Sequence, residues 1–176
     1  RISEVWYFIP MAIVASVFPA ILEAKKRSEE QYYARLQKLY DLMVVISIAV
    51  ALPMTFLSNA VITLLFGEAF SGAGPILSIH IWAAVFVFLG VASSKWFLAE
   101  NRQILSLQRT ALGAIANVAL NLWLIPIYGA VGAAISTVLS YAVAAFFADL
   151  LQQETRAMFS MKISALNPLG VYERYL

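Results

Sequence analysis

The chain has 176 residues, 62% of them hydrophobic and 12% charged, with a formal net charge of +2. A soluble domain carries about twice that charged fraction, so a chain of mean hydropathy +0.81 uses lipid for most of its solvent. The absence of cysteine excludes disulfides, thiolate metal sites and cysteine nucleophiles, and a single histidine, His80, excludes a histidine metal cluster.

Apolar runs cover residues 2–22, 42–66, 75–98, 110–128 and 130–151. Each is near or above the ~20 residues that cross ~30 Å of hydrocarbon at 1.5 Å per residue. The predicted fold is therefore all-α, one polytopic bundle of five transmembrane spans. The first run follows directly on Arg1, with no initiating Met. It is too long for a signal peptide and lacks a small-residue cleavage site, so it reads as a helix entered part-way, in a fragment of a longer chain. Arg1 and Glu4 stand one turn apart in it. They either pair with each other, or Arg1 meets an anionic substrate in a cavity while Glu4 tunes or couples it. Pro10, Pro19 and Pro53 predict kinks in the first two spans.

The interval 23–41 carries Lys25, Lys26, Arg27, Arg35 and Lys38. Ser28 followed by Gln31 fits a capping box, and Tyr32, Leu36, Leu39 and Tyr40 recur at helical spacing. The expectation is a short amphipathic helix at the membrane surface. The next interval, GEAFSGAGP, has no Lys or Arg; the third has Arg102 and Arg109; the turn at Tyr128-Gly129 has none; the tail, 152–176, has Arg156, Lys162 and Arg174. Ten basic residues thus fall on alternate sides of the membrane and none on the other. The positive-inside rule puts the first and third connectors and the C-terminus in the cytoplasm. No basic stripe interleaved with exposed aromatics occurs, which speaks against nucleic acid.

In the third span, Trp82 and Trp96 project within ~40° of each other and ~21 Å apart, the spacing of two interfacial belts on a lipid-facing side. His80, Val87, Val91, Ser94 and Lys95 fall on another side. Lys95 either snorkels to the cytoplasmic headgroups or lines a cavity there; His80 is a packed histidine or a proton carrier. In the fourth span Thr110, Gly113, Ala114, Asn117 and Asn121 share a side opposite Ile115, Val118 and Leu122. The two asparagines suit either a packing interface or a wet cavity. In the fifth, Gly132, Ser136, Ser140 and Ala144 recur every four residues beside Gly129, a stripe for close helix packing. The short turn at Gly129 makes the last two spans an antiparallel hairpin. Asp149 and Glu154, at the cytoplasmic end, are expected to be solvated.

RISEVWYFIPMAIVASVFPAI, ALPMTFLSNAVITLLFGEAF, IHIWAAVFVFLGVASSKWFLAEN and LIPIYGAVGAAISTVLSYA resemble successive C-terminal segments of bacterial oligosaccharide (O-antigen, Wzx-type) flippases of the multidrug/oligosaccharidyl-lipid/polysaccharide (MOP) exporter superfamily. The resemblance implies part of the C-terminal lobe of a two-lobed transporter, with the N-terminal lobe of the same polypeptide missing. It also implies residence in a bacterial inner membrane, and no cofactor is expected. The implied substrate is an undecaprenyl-diphosphate-linked oligosaccharide, an O-antigen or other surface polysaccharide repeat unit, flipped by alternating access with H+ or Na+ coupling as an option. Alternatives are a multidrug exporter or peptidoglycan-precursor flippase of the same superfamily, or a membrane-embedded glycan polymerase. An enzyme of that last kind needs carboxylates, Arg or His in a sizeable outward loop, and Glu68 is the only ionisable residue in the longer one.

Overall fold

The computed structural model describes residues 2–175, so Arg1 lies outside the described residues. These residues are almost wholly helical, with no strand among them. A 3-10 turn, Ile2–Tyr7, leads into α1, Phe8–Arg27. Ser28 ends α1 in extended backbone and accepts the Gln31 amide at 3.1 Å, so the N-cap half of the expected capping box forms and starts α2, Glu29–Phe66, while the Ser28 N–H donates to the Ala24 carbonyl at 3.0 Å. Both helices run through their internal prolines, Pro19 and Pro53. Gly67, at φ +85°, closes α2 in a conformation that favours glycine. After a 3-10 turn come α3, Gly74–His80, and α4, Ala83–Ala99; the segment 68–80 and α4 meet at 44°. Then follow α5, Gln103–Ala145, α6, Arg156–Leu166, and α7, Pro168–Tyr175.

Three helical stretches are long and apolar enough to cross a membrane, or four with the bent pair counted as one span. The longest of them folds back on itself. Gly129 has φ +57° and ψ −132°, far from helical values. Beyond it a Cβ on Gly132 would run into the Leu124 carbonyl, and one on Gly113 would sit 2.6 Å from the Ala144 Cβ. Residues 8 and 31 positions apart touch only if the chain reverses between them, and both pairs are centred near residue 128. The arms 103–128 and 130–145 therefore form an antiparallel hairpin, held close where glycine removes the Cβ. Ser136 and Ser140 are buried on the inner face, their hydroxyls donating to the Gly132 and Ser136 carbonyls at 2.8 and 2.5 Å, so they pack without unmet polar atoms. Ile115, Val118 and Leu122 face outward, 60–74% exposed, as their helical positions predict.

Three expectations about burial give way. Trp96 is only 4% exposed and belongs to the core with Phe88, Leu89 and Phe97. Trp82 is half-buried, donating from Nε1 to Thr55 Oγ1 of α2 at 3.1 Å. The cause is that α4 is a central helix, packed by α1, α2 and α5, and has no wide lipid-facing side. The stretch expected as a separate surface helix forms the first turns of α2, and its apolar face is covered by protein: Tyr32, Leu36 and Tyr40 are buried with Met158 and Ala165 of α6. Asp149 is buried too, because α6 folds back over it.

Contacts gather the basic intervals at one end of the bundle. Lys25 pairs with Glu100 at 2.8 Å, Arg102 with Glu154 at 3.6 Å, and Arg174 with Asp41 at 2.8 Å. The first connector, the third connector and the tail are thereby tied together, with the Gly129 turn at the far end of the first arm of α5.

Candidate functional site: a basic cavity between α1, α4 and the α5 hairpin

α4 is nearly all apolar, so its exposed polar positions stand out. Val87, Gly90, Val91, Ser94 and Lys95 lie along one side of it and line a cavity of about 810 Å³. Met11 and Val14 of α1 form a second wall. The hairpin supplies the third, with Arg109, Thr110, Gly113, Ala114 and Asn117 from one arm and Thr137, Ser140, Tyr141 and Ala144 from the other. The small residues follow from the close packing of the arms, and they leave the space that the cavity occupies. Among the described residues, Lys95 and Arg109 are its only charged lining residues and no carboxylate lines it. Its walls are otherwise apolar side chains interleaved with hydroxyls and one amide.

Lys95 is half-buried, its ammonium 5.2 Å from the centre of the Phe18 ring, and has no ion-pair partner among the described residues. Asn117 lines the cavity; Asn121, one turn on, donates to its Oδ1 at 2.9 Å, leaving its own Oδ1 buried without a partner. His80 does not reach this cavity: its Nδ1 meets Ser3 Oγ at 2.8 Å and ties the N-terminal turn to α3. Glu4 sits exposed on that turn, also away from the cavity. Gly129, Gly132, Ser136 and Ser140 shape the hairpin, and of these only Ser140 touches the cavity.

In the sequence Arg109 is one flanking charge among ten. Its guanidinium instead turns inward, donating from Nη2 to the Gly90 carbonyl at 2.9 Å and stacking 4.8 Å from the centre of the Phe97 ring. Nη1 is buried with no partner. The signal was there: Arg109 precedes Gly113 by one turn and Asn117 by two, so it continues their stripe. The buried ion pair of Lys162 and Asp149, 2.5 Å apart beside this site, had no comparable signal. Lys162 also donates to the Ala145 carbonyl at 2.6 Å and lies 5.7 Å from the Tyr40 ring centre. Tyr40 in turn shares a 3.0 Å hydrogen bond with Ser93 of α4. The network joins the tail to α2, α4 and α5, directly under the basic end of the cavity.

A protein-family model described as lipid II flippase MurJ matches residues 7–167. The probable low-salt glycan biosynthesis flippase Agl15 of Haloferax volcanii is 24% identical over 147 residues, 81% of this chain and 30% of that protein. An uncharacterized membrane protein of Methanocaldococcus jannaschii is 30% identical over 103 residues, 58% of this chain and 20% of that protein. The chain thus spans less than a third of the length of either relative. No solved structure matches it.

Proposed function

The chain belongs to the lipid II flippase MurJ family, and from that premise we propose that the complete protein carries a glycan, linked through diphosphate to a long-chain lipid, across a membrane by alternating access. The observation that carries this reading is the cavity: among the described residues it has two cations and no carboxylate in apolar walls. Such a site attracts a diphosphate, while hydroxyls and an amide offer neutral hydrogen bonds to sugar and the apolar surface tolerates an isoprenoid chain. A cationic drug would meet repulsion from Lys95 and Arg109, which disfavours the multidrug reading. Among the described residues no carboxylate or histidine lines the cavity to serve as a general acid or base, so we favour a transporter over a polymerase.

The α5 hairpin, α4 and α1 then form one wall of a path whose other wall belongs to the rest of the polypeptide. The basic end of the bundle faces the cytoplasm, by the positive-inside rule. For the glycan, a surface-polysaccharide repeat unit on undecaprenyl diphosphate, as in the O-antigen flippases that the chain resembles, is our first assignment. The family description favours a second, a peptidoglycan precursor. Both share the lipid diphosphate. Reconstitution of the full-length protein into vesicles tests the reading: lipid-linked oligosaccharide or lipid II loaded in the inner leaflet becomes open to a glycan-cleaving enzyme added outside. Transport of the first alone supports our assignment, and transport of lipid II alone the second. Movement of neither above protein-free vesicles overturns the function.

A further inference from the structure

We infer that Arg109 is a second, deeper anion-binding residue of this cavity, taking over the diphosphate that Lys95 meets first. The inference rests on the flippase reading only for the identity of the anion.

A guanidinium has five N–H donors in a fixed fork. Here one end of the fork is engaged, Nη2 on the Gly90 carbonyl, and Nη1 is buried without an acceptor. A purely structural arginine, stapling α5 to α4, would be expected to satisfy both, because a buried unmet donor is destabilising. Its charge has no direct ion-pair partner either. Among the described residues no carboxylate lies within ion-pair distance of Arg109; Asp149, which lines a smaller cavity with it on the other side, is held by Lys162. Phe97 offers its ring face and Gly90 a carbonyl, both weaker counterparts than an anion. Gly90 has no side chain between its carbonyl and the cavity; a Cβ there would stand 3.5 Å from Arg109 Nη2. A half-satisfied guanidinium on the wall of a cavity that no described carboxylate lines has the form of an anion site.

Depth orders the two cations. Lys95 lies near the end of α4, which closes at Ala99 beside the Lys25–Glu100 pair. The Arg109 guanidinium reaches α4 at Gly90, five positions earlier, about 7.5 Å deeper at helical rise. A flexible ammonium at the mouth and a planar fork inside suit capture followed by bidentate holding.

The test uses detergent-solubilised full-length protein and inorganic diphosphate, read as the rise of the thermal unfolding midpoint with ligand concentration. Wild type is expected to show a saturable rise. Arg109→Gln should weaken the apparent affinity roughly 10- to 100-fold, the loss of charge-assisted hydrogen bonds. Arg109→Lys, which keeps the charge without the fork, should fall between them, and Lys95→Gln should lose less than Arg109→Gln. Each variant is compared with its own ligand-free midpoint, so a lower starting stability does not confuse the reading; if Arg109→Gln does not fold, Arg109→Lys carries the comparison. No diphosphate-dependent rise in wild type, or an equal rise in the Arg109 variants, overturns the inference. An Arg109-dependent rise in a protein that moves no lipid-linked glycan sustains this site and overturns the flippase reading alone.

Discussion

The Lys162 ammonium and the Asp149 carboxylate lie 2.5 Å apart, with 0% and 1% of their side chains exposed. A tail helix is thereby pinned to the end of the α5 hairpin by an ion pair from which water is shut out. Removing one partner leaves the other buried and unpaired, at a cost of about 3–5 kcal/mol, whereas replacing both by apolar groups of similar volume is much milder. Lys162→Met should therefore lower thermal stability strongly, and Lys162→Met combined with Asp149→Leu should recover most of the loss. Denaturation of the three proteins in detergent checks this, and equal stability of the two variants would contradict it.

Burial pushes the Lys162 ammonium down from 10.5 to about 8, with Asp149 opposing that shift and Arg109 adding to it. Between pH ~8 and ~10.5 the unfolded chain holds this proton while the folded chain has released it. The unfolded state then binds more protons, so this group's contribution to stability rises with pH across that window. Unfolding midpoints of wild type minus those of Lys162→Met should climb from pH 8 to pH 10; a flat difference would show an unshifted lysine.

The α5 hairpin turns at Gly129, whose φ of +57° with ψ of −132° is a backbone conformation open to little but glycine. Gly129→Ala should destabilise by about 1–3 kcal/mol. Gly132→Val should be at least as damaging, since its Cβ would meet the Leu124 backbone. Limited proteolysis near residue 128 should speed up in both, and wild-type resistance would show that the turn does not depend on these glycines.

These 176 residues contain no cysteine, so a cysteine placed among them is unique within this stretch. Glu30 and Ser71 are both exposed, at opposite ends of α2 and its following turn. A membrane-impermeant thiol reagent outside intact cells should label Ser71→Cys and spare Glu30→Cys until the membrane is opened. Labelling of both from outside would remove the cytoplasmic assignment of the basic end.

The apolar helices were readable because runs near 20 residues between polar intervals have few other meanings, and the hairpin because small residues at Gly132, Ser136 and Ser140 repeat every four positions. The side of the fourth span that meets the cavity was readable for the same reason, since Ile115, Val118 and Leu122 oppose Gly113 and Asn117. α4 resisted: with apolar residues on all sides its periodicity selects no face, and the tryptophan pair pointed to lipid while Trp96 is in the core. Lys162 and Asp149 resisted for a different reason. A charged residue in a polar tail reads as solvated until a tertiary fold brings α6 over α2. Arg109 lay between these cases, visible on the stripe yet counted only as a flanking charge.

Lys95 brings its charge to the mouth of the cavity, where a diphosphate would first be met. In vesicles holding the full-length protein, initial rates of lipid-linked oligosaccharide transport should be compared for wild type, Lys95→Arg and Lys95→Gln at equal reconstituted amounts. A point charge meeting a diphosphate predicts that Lys95→Arg keeps most of the rate and that Lys95→Gln loses roughly 10-fold or more, the worth of one charge-assisted contact. A Lys95→Gln protein that transports at the wild-type rate would make Lys95 a membrane-surface anchor and contradict the assignment of this cavity to the substrate.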